Sequence, residues 1–180
     1  MASSRERILD AAEGRLLAGG PSSLVLEAVA EDAGISKGGL LYHFGSKEAL
    51  VAGLCARMLE RFDCELERLY KAASERPGAW TRAYLDSTVT DEGNPADNSA
   101  QLMAGILAML GRDSAHLEAV REHFGRWHER LATDAIDPTT ATIVRLAADG
   151  LWLSALLGLP GLDAQAGPET IRALRELTRP

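Results

Sequence analysis

The sequence predicts an all-α protein: a small N-terminal three-helix domain carrying a helix-turn-helix, followed by a larger helical domain. Three observations lead there. Apolar residues recur at three- and four-residue steps in segment after segment. Between residues 30 and 48, glycine and serine fall where helices must stop and restart, with Gly34 before Ser36 and Gly45 before Ser46. Residues 139–159 are apolar around most of a helical circumference.

The first helix opens at Ser3, whose spacing to Glu6 is that of a capping box. Ile8, Leu9, Ala12, Leu16 and Leu17 form its apolar side, and Gly19-Gly20-Pro21 ends it. A second helix carries Leu26, Val29, Ala30 and Ala33 as its buried stripe. Gly34 then supplies the positive φ of a chain leaving a helix, which glycine adopts without steric penalty. Ser36 caps a short third helix that reaches Phe44. In it Leu40, Leu41 and Phe44 are spaced to pack downward, leaving Lys37, Gly38, Gly39, Tyr42 and His43 outward. Gly45 stops that helix and Ser46 caps the next. Two short helices across a glycine-bearing turn, about residues 24–43, make a helix-turn-helix whose second helix is built to enter a DNA major groove.

From Ser46 a long helix is expected to about Ala73, with Leu50, Val51, Leu54, Met58, Phe62, Leu66, Leu69, Tyr70 and Ala73 as one stripe. At 1.5 Å per residue it spans about 40 Å, enough to join a small domain to a larger one. A helix over 77–90 turns Trp80, Tyr84, Leu85 and Val89 inward, and residues 91–95 form a polar loop. Helices follow over about 97–111, over 114–134 with Asp113-Ser114 as its cap, and over 139–159. A helix apolar nearly all round must be buried all round, and a second copy of the chain is the expected cover. A final helix begins at Gly167-Pro168. The expected two-fold interface is a four-helix arrangement through Leu151, Trp152, Ala155, Leu156, Ile171 and Leu174.

The run Val29-Ala30, then Ala33 through Gly38, Leu40, and Phe44 through Leu50 resembles the DNA-binding domain of the TetR family of bacterial transcriptional repressors. The resemblance covers about the first fifty residues. It implies a DNA-binding domain over 1–46 and a helical ligand-binding and dimerisation domain over 47–180. It further implies a homodimer that binds a pseudo-palindromic, double-stranded DNA operator and releases it when a small apolar or aromatic molecule enters the larger domain. Lys37, Gly38, Gly39, Tyr42 and His43 would then face the groove, with Lys47 and the backbone at Ser36 and Ser46 on phosphates. Two positions depart from the family. Val25 stands where a Thr or Ser usually contacts phosphate, shifting that role to Ser23, and Leu41 displaces the family's tyrosine by one, to Tyr42. These departures leave an alternative open, a small-molecule-binding helical dimer with a degenerate DNA-binding domain. The resemblance also implies an effector cavity, with Trp80, Tyr84, Met103, Ile106, Leu107, Leu110, Phe124 and Trp127 as its candidate walls.

Composition bounds these readings. Of 180 residues 46% are hydrophobic and 25% charged, ordinary for a soluble globular protein. No apolar run reaches a membrane span and no signal segment opens the chain, so a cytoplasmic location is expected. Net charge is −7, which predicts weak non-specific attraction to DNA and reliance on a few well-placed contacts. Cys55 and Cys64 fall on opposite faces of one helix and cannot pair. His116 and His123 lie seven apart, not the three or four that lets one helix chelate a metal. No nucleophile elbow, phosphate-cradling loop or H-E-x-x-H occurs, so neither catalysis nor a cofactor is expected.

Overall fold

The computed structural model describes residues 3–73, 76–110 and 116–179, the side chains of Leu110 and His116 excepted. Among these residues the chain is helical: α1 (Ser4–Gly19), a 3-10 turn (Pro21–Ser23), α2 (Leu26–Asp32), α3 (Lys37–Phe44), α4 (Lys47–Ala72), α5 (Ala79–Thr88), α6 (Ser99–Leu110), α7 (His116–Leu131), α8 (Pro138–Leu156) and α9 (Ala166–Leu177). The only extended pairing among them is an isolated bridge between Val89 and Pro95 in the polar loop. The expected Asp113-Ser114 cap lies outside the described residues. By internal packing the chain forms two compact units, one of Met1–Met58 with Gln101–Ala119 and one of Leu59–Ala100 with Val120–Pro180.

In the first unit, Ser3 accepts from Glu6 N at 3.2 Å and starts α1. Ile8, Leu9, Ala12 and Leu16 of α1, Leu24, Val29 and Ala30, and Leu40 and Phe44 of α3 are buried together with Leu50, Val51 and Leu54 of α4. Gly53 is where α4 comes closest: a Cβ there would lie 2.7 Å from Phe44 Cε1 and 3.3 Å from Leu9 Cδ2. Arg57, itself buried, reaches from α4 back to α1, donating to Asp10 Oδ1 at 2.6 Å and to Glu13 Oε2. Gln101 Nε2 donates to Leu17 O at 3.0 Å, so the start of α6 is tied to the end of α1.

In the second unit the helix buried on every side is α5, not α8. All its residues except Arg82 and Asp86 are buried, including Thr81, Ser87 and Thr88. The last two hydroxyls are satisfied locally: Ser87 donates to Ala83 O and Thr88 to Tyr84 O, each at 2.7 Å. The start of α5, which has Gly78 in place of a capping side chain, is capped across the unit. Asp134 accepts from Trp80 N at 3.0 Å, Thr81 N at 2.7 Å and Thr81 Oγ1 at 2.7 Å. Helix α8 packs on α5, and its buried residues are Ala141, Val144 and Ala148. Within the single chain α8 is not enclosed: Ile143, Leu146, Leu153 and Leu157 are exposed, on the helix for which a second copy is the expected cover.

Gly53→Val tests the close seat of α4 on Phe44. Alanine would gain up to about 1 kcal/mol of helix propensity and blur the result, so the branched residue is the sharper probe. Overpacking should lower stability by about 1–3 kcal/mol, a fall in melting temperature of about 2–4 °C per kcal/mol in a chain this size. An unchanged melting temperature would show that Phe44 has room to move.

Candidate nucleic-acid interface and effector core

The two short helices meet across a turn built from local chemistry. Gly34 has φ +65° and its N–H donates to Glu31 O at 3.0 Å, while Ile35 N returns to Ala30 O at 3.0 Å. Ser36 Oγ then accepts from Gly39 N at 3.0 Å and starts α3. Leu40 and Phe44 are buried beneath α3, and Leu41 is half-buried. Outward stand Lys37, Gly38, Tyr42 and His43, with Gly39 half-buried. Tyr42 is 87% exposed and packs only edge-on against His43, ring centres 5.5 Å apart. A Cβ at Gly38 or Gly39 would meet nothing closer than Ser36 Oγ at 3.9 and 3.4 Å, so packing does not demand glycine at either position. Ser46 accepts from Ala49 N at 3.1 Å and starts α4, with Lys47 half-buried at its first position.

One predicted contact residue is placed elsewhere. Ser23, expected to take over a phosphate contact, donates its hydroxyl to Arg15 O at 2.6 Å and Gly20 O at 2.7 Å, locking the 3-10 turn to α1. Val25 beside it is exposed and gives α2 no side-chain cap. Cations here are drawn into pairs. Arg15 meets Asp32 at 2.6 Å, Arg57 meets Asp10 and Glu13, and Lys37 Nζ donates to Glu27 Oε1.

The expected effector walls divide between the units. Met103 and Ile106 are buried in the first unit, Leu107 in the same helix is exposed, and the Leu110 side chain lies outside the described residues. Trp80, Tyr84, Phe124 and Trp127 belong to the second. There Trp127 is the hub, with ring centres 4.6 Å from Phe62, 4.9 Å from Phe124 and 6.2 Å from Tyr84. Trp80 forms a separate stack with Tyr70 and the Arg130 guanidinium, 3.7 Å above its ring.

Polar groups absent from the sequence reading line this aromatic core. Trp127 Nε1 donates to Asp63 Oδ1 at 2.6 Å, and Tyr84 OH to Asp149 Oδ1 at 2.6 Å. Arg145 holds the other Asp149 oxygen at 2.9 Å. Burial, then the charge and hydrogen bond of Asp149, push the Tyr84 phenol well above its ordinary range and keep it protonated. Burial and then the Arg145 charge lower the His128 imidazole below its ordinary range, against an opposing pull from Asp149. His128 Nε2 and Trp80 Nε1 are buried without a hydrogen-bond partner. The legible signal for this group was Asp149, a charge set among Leu146, Ala147, Ala148 and Leu151. A separate cleft of about 390 Å³ is lined by Ala135, Ile136, Asp137, Thr140, Leu177 and Arg179, none of them an expected wall residue.

The residues assigned to a two-fold interface also divide. Ile171 and Leu174 of α9 are buried in their own unit, which removes them as partner contacts. Leu151 and Leu156 are half-buried and Ala155 is exposed. Trp152, half-buried, spends its Nε1–H on Ser99 Oγ at 2.9 Å.

Comparison with known proteins gives this geometry its class. The family described as "Bacterial regulatory proteins, tetR family" matches residues 8–54, and "Tetracyclin repressor-like, C-terminal domain" matches residues 78–179. The chain belongs to the TetR family of transcriptional regulators. Among its relatives is the HTH-type transcriptional regulator BetI of Burkholderia mallei, 28% identical over 173 residues, with 90% of this chain and 86% of BetI covered. A transcriptional regulator from Rhodococcus sp. Rha1 shares the fold with a TM-score of 0.74, 24% identity and coverage of 98% and 94%. The multidrug binding protein EbrR, solved with malachite green, shares it with a TM-score of 0.61, 24% identity and 98% coverage of each chain. Among the described residues no helix is long and apolar enough to cross a membrane.

His128 makes stability pH-dependent in a definite direction. The folded state resists its protonation and the unfolded state does not, so below about pH 6.5 the unfolded chain binds more protons. Stability should therefore fall as pH drops from 7.5 to 5.5, and His128→Gln should flatten that part of the curve in urea titrations. An identical fall in the variant would assign the dependence to other groups.

Proposed function

We propose that this TetR-family regulator is a homodimeric repressor that reads a pseudo-palindromic operator with α3 and is released by a small apolar or aromatic effector. The observation that carries the reading is the division of α3. Its buried side, Leu40 and Phe44, anchors the helix, and its outward side offers Lys37, Tyr42 and His43 to solvent with no packing role for the Tyr42 ring. An exposed tyrosine of that kind also speaks against a degenerate DNA-binding domain. With Gly38 and Gly39 bare, base reading falls on those three side chains, while Lys47 and the backbone N–H groups at Ser36 and Ser46 meet phosphates.

Dimerisation is supported by the exposed stripe Ile143, Leu146, Leu153 and Leu157, which recurs at three-, four- and seven-residue steps along α8. The half-buried Leu151 and Leu156 and the exposed Ala155 flank it. The effector reading draws on the aromatic core around Trp127 and on the likeness to the multidrug binding protein EbrR, which was solved with malachite green. Of the expected walls, Trp80, Tyr84, Phe124 and Trp127 belong to the second unit and carry the reading. An effector would act by its difference in affinity between the DNA-competent and released states.

Selection from a random DNA pool followed by binding measurements tests the reading. The protein should enrich a two-fold-related site. Tyr42→Ala and His43→Ala should each weaken that site by about 1–3 kcal/mol, roughly five- to 150-fold, and relax the preference for particular bases. Lys47→Ala should weaken all duplexes alike and make the salt slope shallower by about 0.9. A pool that returns no enriched sequence would refute DNA recognition.

A further inference from the structure

Two charges face each other at the entrance to the DNA-reading surface. Glu27 is the second residue of α2 and Lys37 the first of α3, so the first turns of both helices of the motif are joined by one ion pair. Both side chains are well exposed, 61% and 50%. The placement is uneven. A carboxylate in a first turn is favoured by the helix dipole, and an ammonium in a first turn is opposed by it. Lys37 thus gains from Glu27 what its own helix withholds. The Lys37 hydrogen bond, foremost, holds the Glu27 carboxyl below the usual carboxylate range.

We propose that Glu27 is a specificity-determining residue that holds Lys37 away from DNA until the operator's base edges displace it. The inference rests on the DNA-binding reading above and deepens it. On a random duplex, Lys37 can gain a phosphate but must leave a carboxylate, and that carboxylate is brought near a polyanion; the exchange is close to balanced. On the operator, Lys37 can bond the O6 and N7 acceptors of guanine in the major groove, a contact that discriminates roughly five- to 150-fold against a wrong base. An exposed ion pair is worth only roughly fivefold at most, so the base contact wins. Glu27 therefore subtracts one cation from non-specific binding and returns it at the correct site, which is selectivity built by opposing the wrong partner. In a chain of net charge −7 this deepens an existing bias against random DNA.

The test compares wild type with Glu27→Gln, Lys37→Gln and the double variant. Each is titrated with the pool-selected operator and with a random-sequence duplex from 0.05 to 0.3 M salt, and each is melted without DNA. Glu27→Gln should still melt cooperatively, within a few degrees of wild type, and bind the random duplex about three- to tenfold more tightly near 0.1 M salt, with a slope steeper by about 0.9. Its preference for operator over random duplex should fall, and the gain should vanish in the Lys37→Gln background. A wild-type slope and affinity in Glu27→Gln would overturn the proposal. A gain that persists without Lys37 would also overturn it, showing Glu27 to act as a bare repulsive charge. Failure of the wild type to prefer any sequence would instead bring down the DNA-binding reading, and this inference with it.

Discussion

The outward face of the N-terminal unit depends on the seat of Phe44 against the bare backbone of Gly53. Helix α3 has eight residues and two glycines, too short and too poor in propensity to hold its shape alone. Its order comes from burying Leu40 and Phe44, each worth about 1.5–3 kcal/mol. The Gly45 turn sends the chain directly into α4, whose Gly53 then passes within contact of the Phe44 ring. Within this unit, α4 cannot shift without taking Phe44, and hence Lys37, Tyr42 and His43, with it. That linkage is the mechanical element which effector release, as proposed, would use. Arg57, clamped to Asp10 and Glu13, makes α1 part of the same rigid set.

Electrostatics then decides what the surface can do. Arg15 is bound to Asp32 and Arg57 is buried between carboxylates, so neither offers a free cation to a phosphate. The proposed reading surface is left with hydrogen-bonding rings, helix N-termini, the half-buried Lys47 and a lysine already held by glutamate. A surface of that composition favours selectivity over raw attraction, in keeping with the acidity of the whole chain.

The helix-turn-helix was legible because its determinants are local. Gly34, Ser36, Gly45 and Ser46 act on their immediate neighbours, and each does in the structure what its residue type predicts. Burial across the chain was less legible. Helix α5 is the enclosed one because Ser87 and Thr88 hide their hydroxyls in bonds to their own helix and Thr81 gives its hydroxyl to Asp134, which an apolar count does not register. Ser23 looked available because its spacing is right, yet two carbonyls hold its hydroxyl inward. Apolar spacing on α9 correctly marked Ile171 and Leu174 for burial but could not say against which surface. Met103 and Ile106 share with Trp127 the apolar helical spacing of a candidate wall, and spacing does not register that they belong to a different compact unit. Asp149 was the one local clue to a polar lining in the aromatic core, since a charge inside an apolar stretch needs a partner, and Tyr84 and Arg145 supply it.

Hydroxyl-radical footprinting on the selected operator tests the central claim most directly. If two copies of α3 read the DNA, protection should fall in two patches on one face of the duplex, centred about one helical turn, roughly 34–36 Å, apart. Tyr42→Ala should weaken both patches together, since each copy carries the same residue. A single patch, or a pattern indifferent to Tyr42, would contradict the claim.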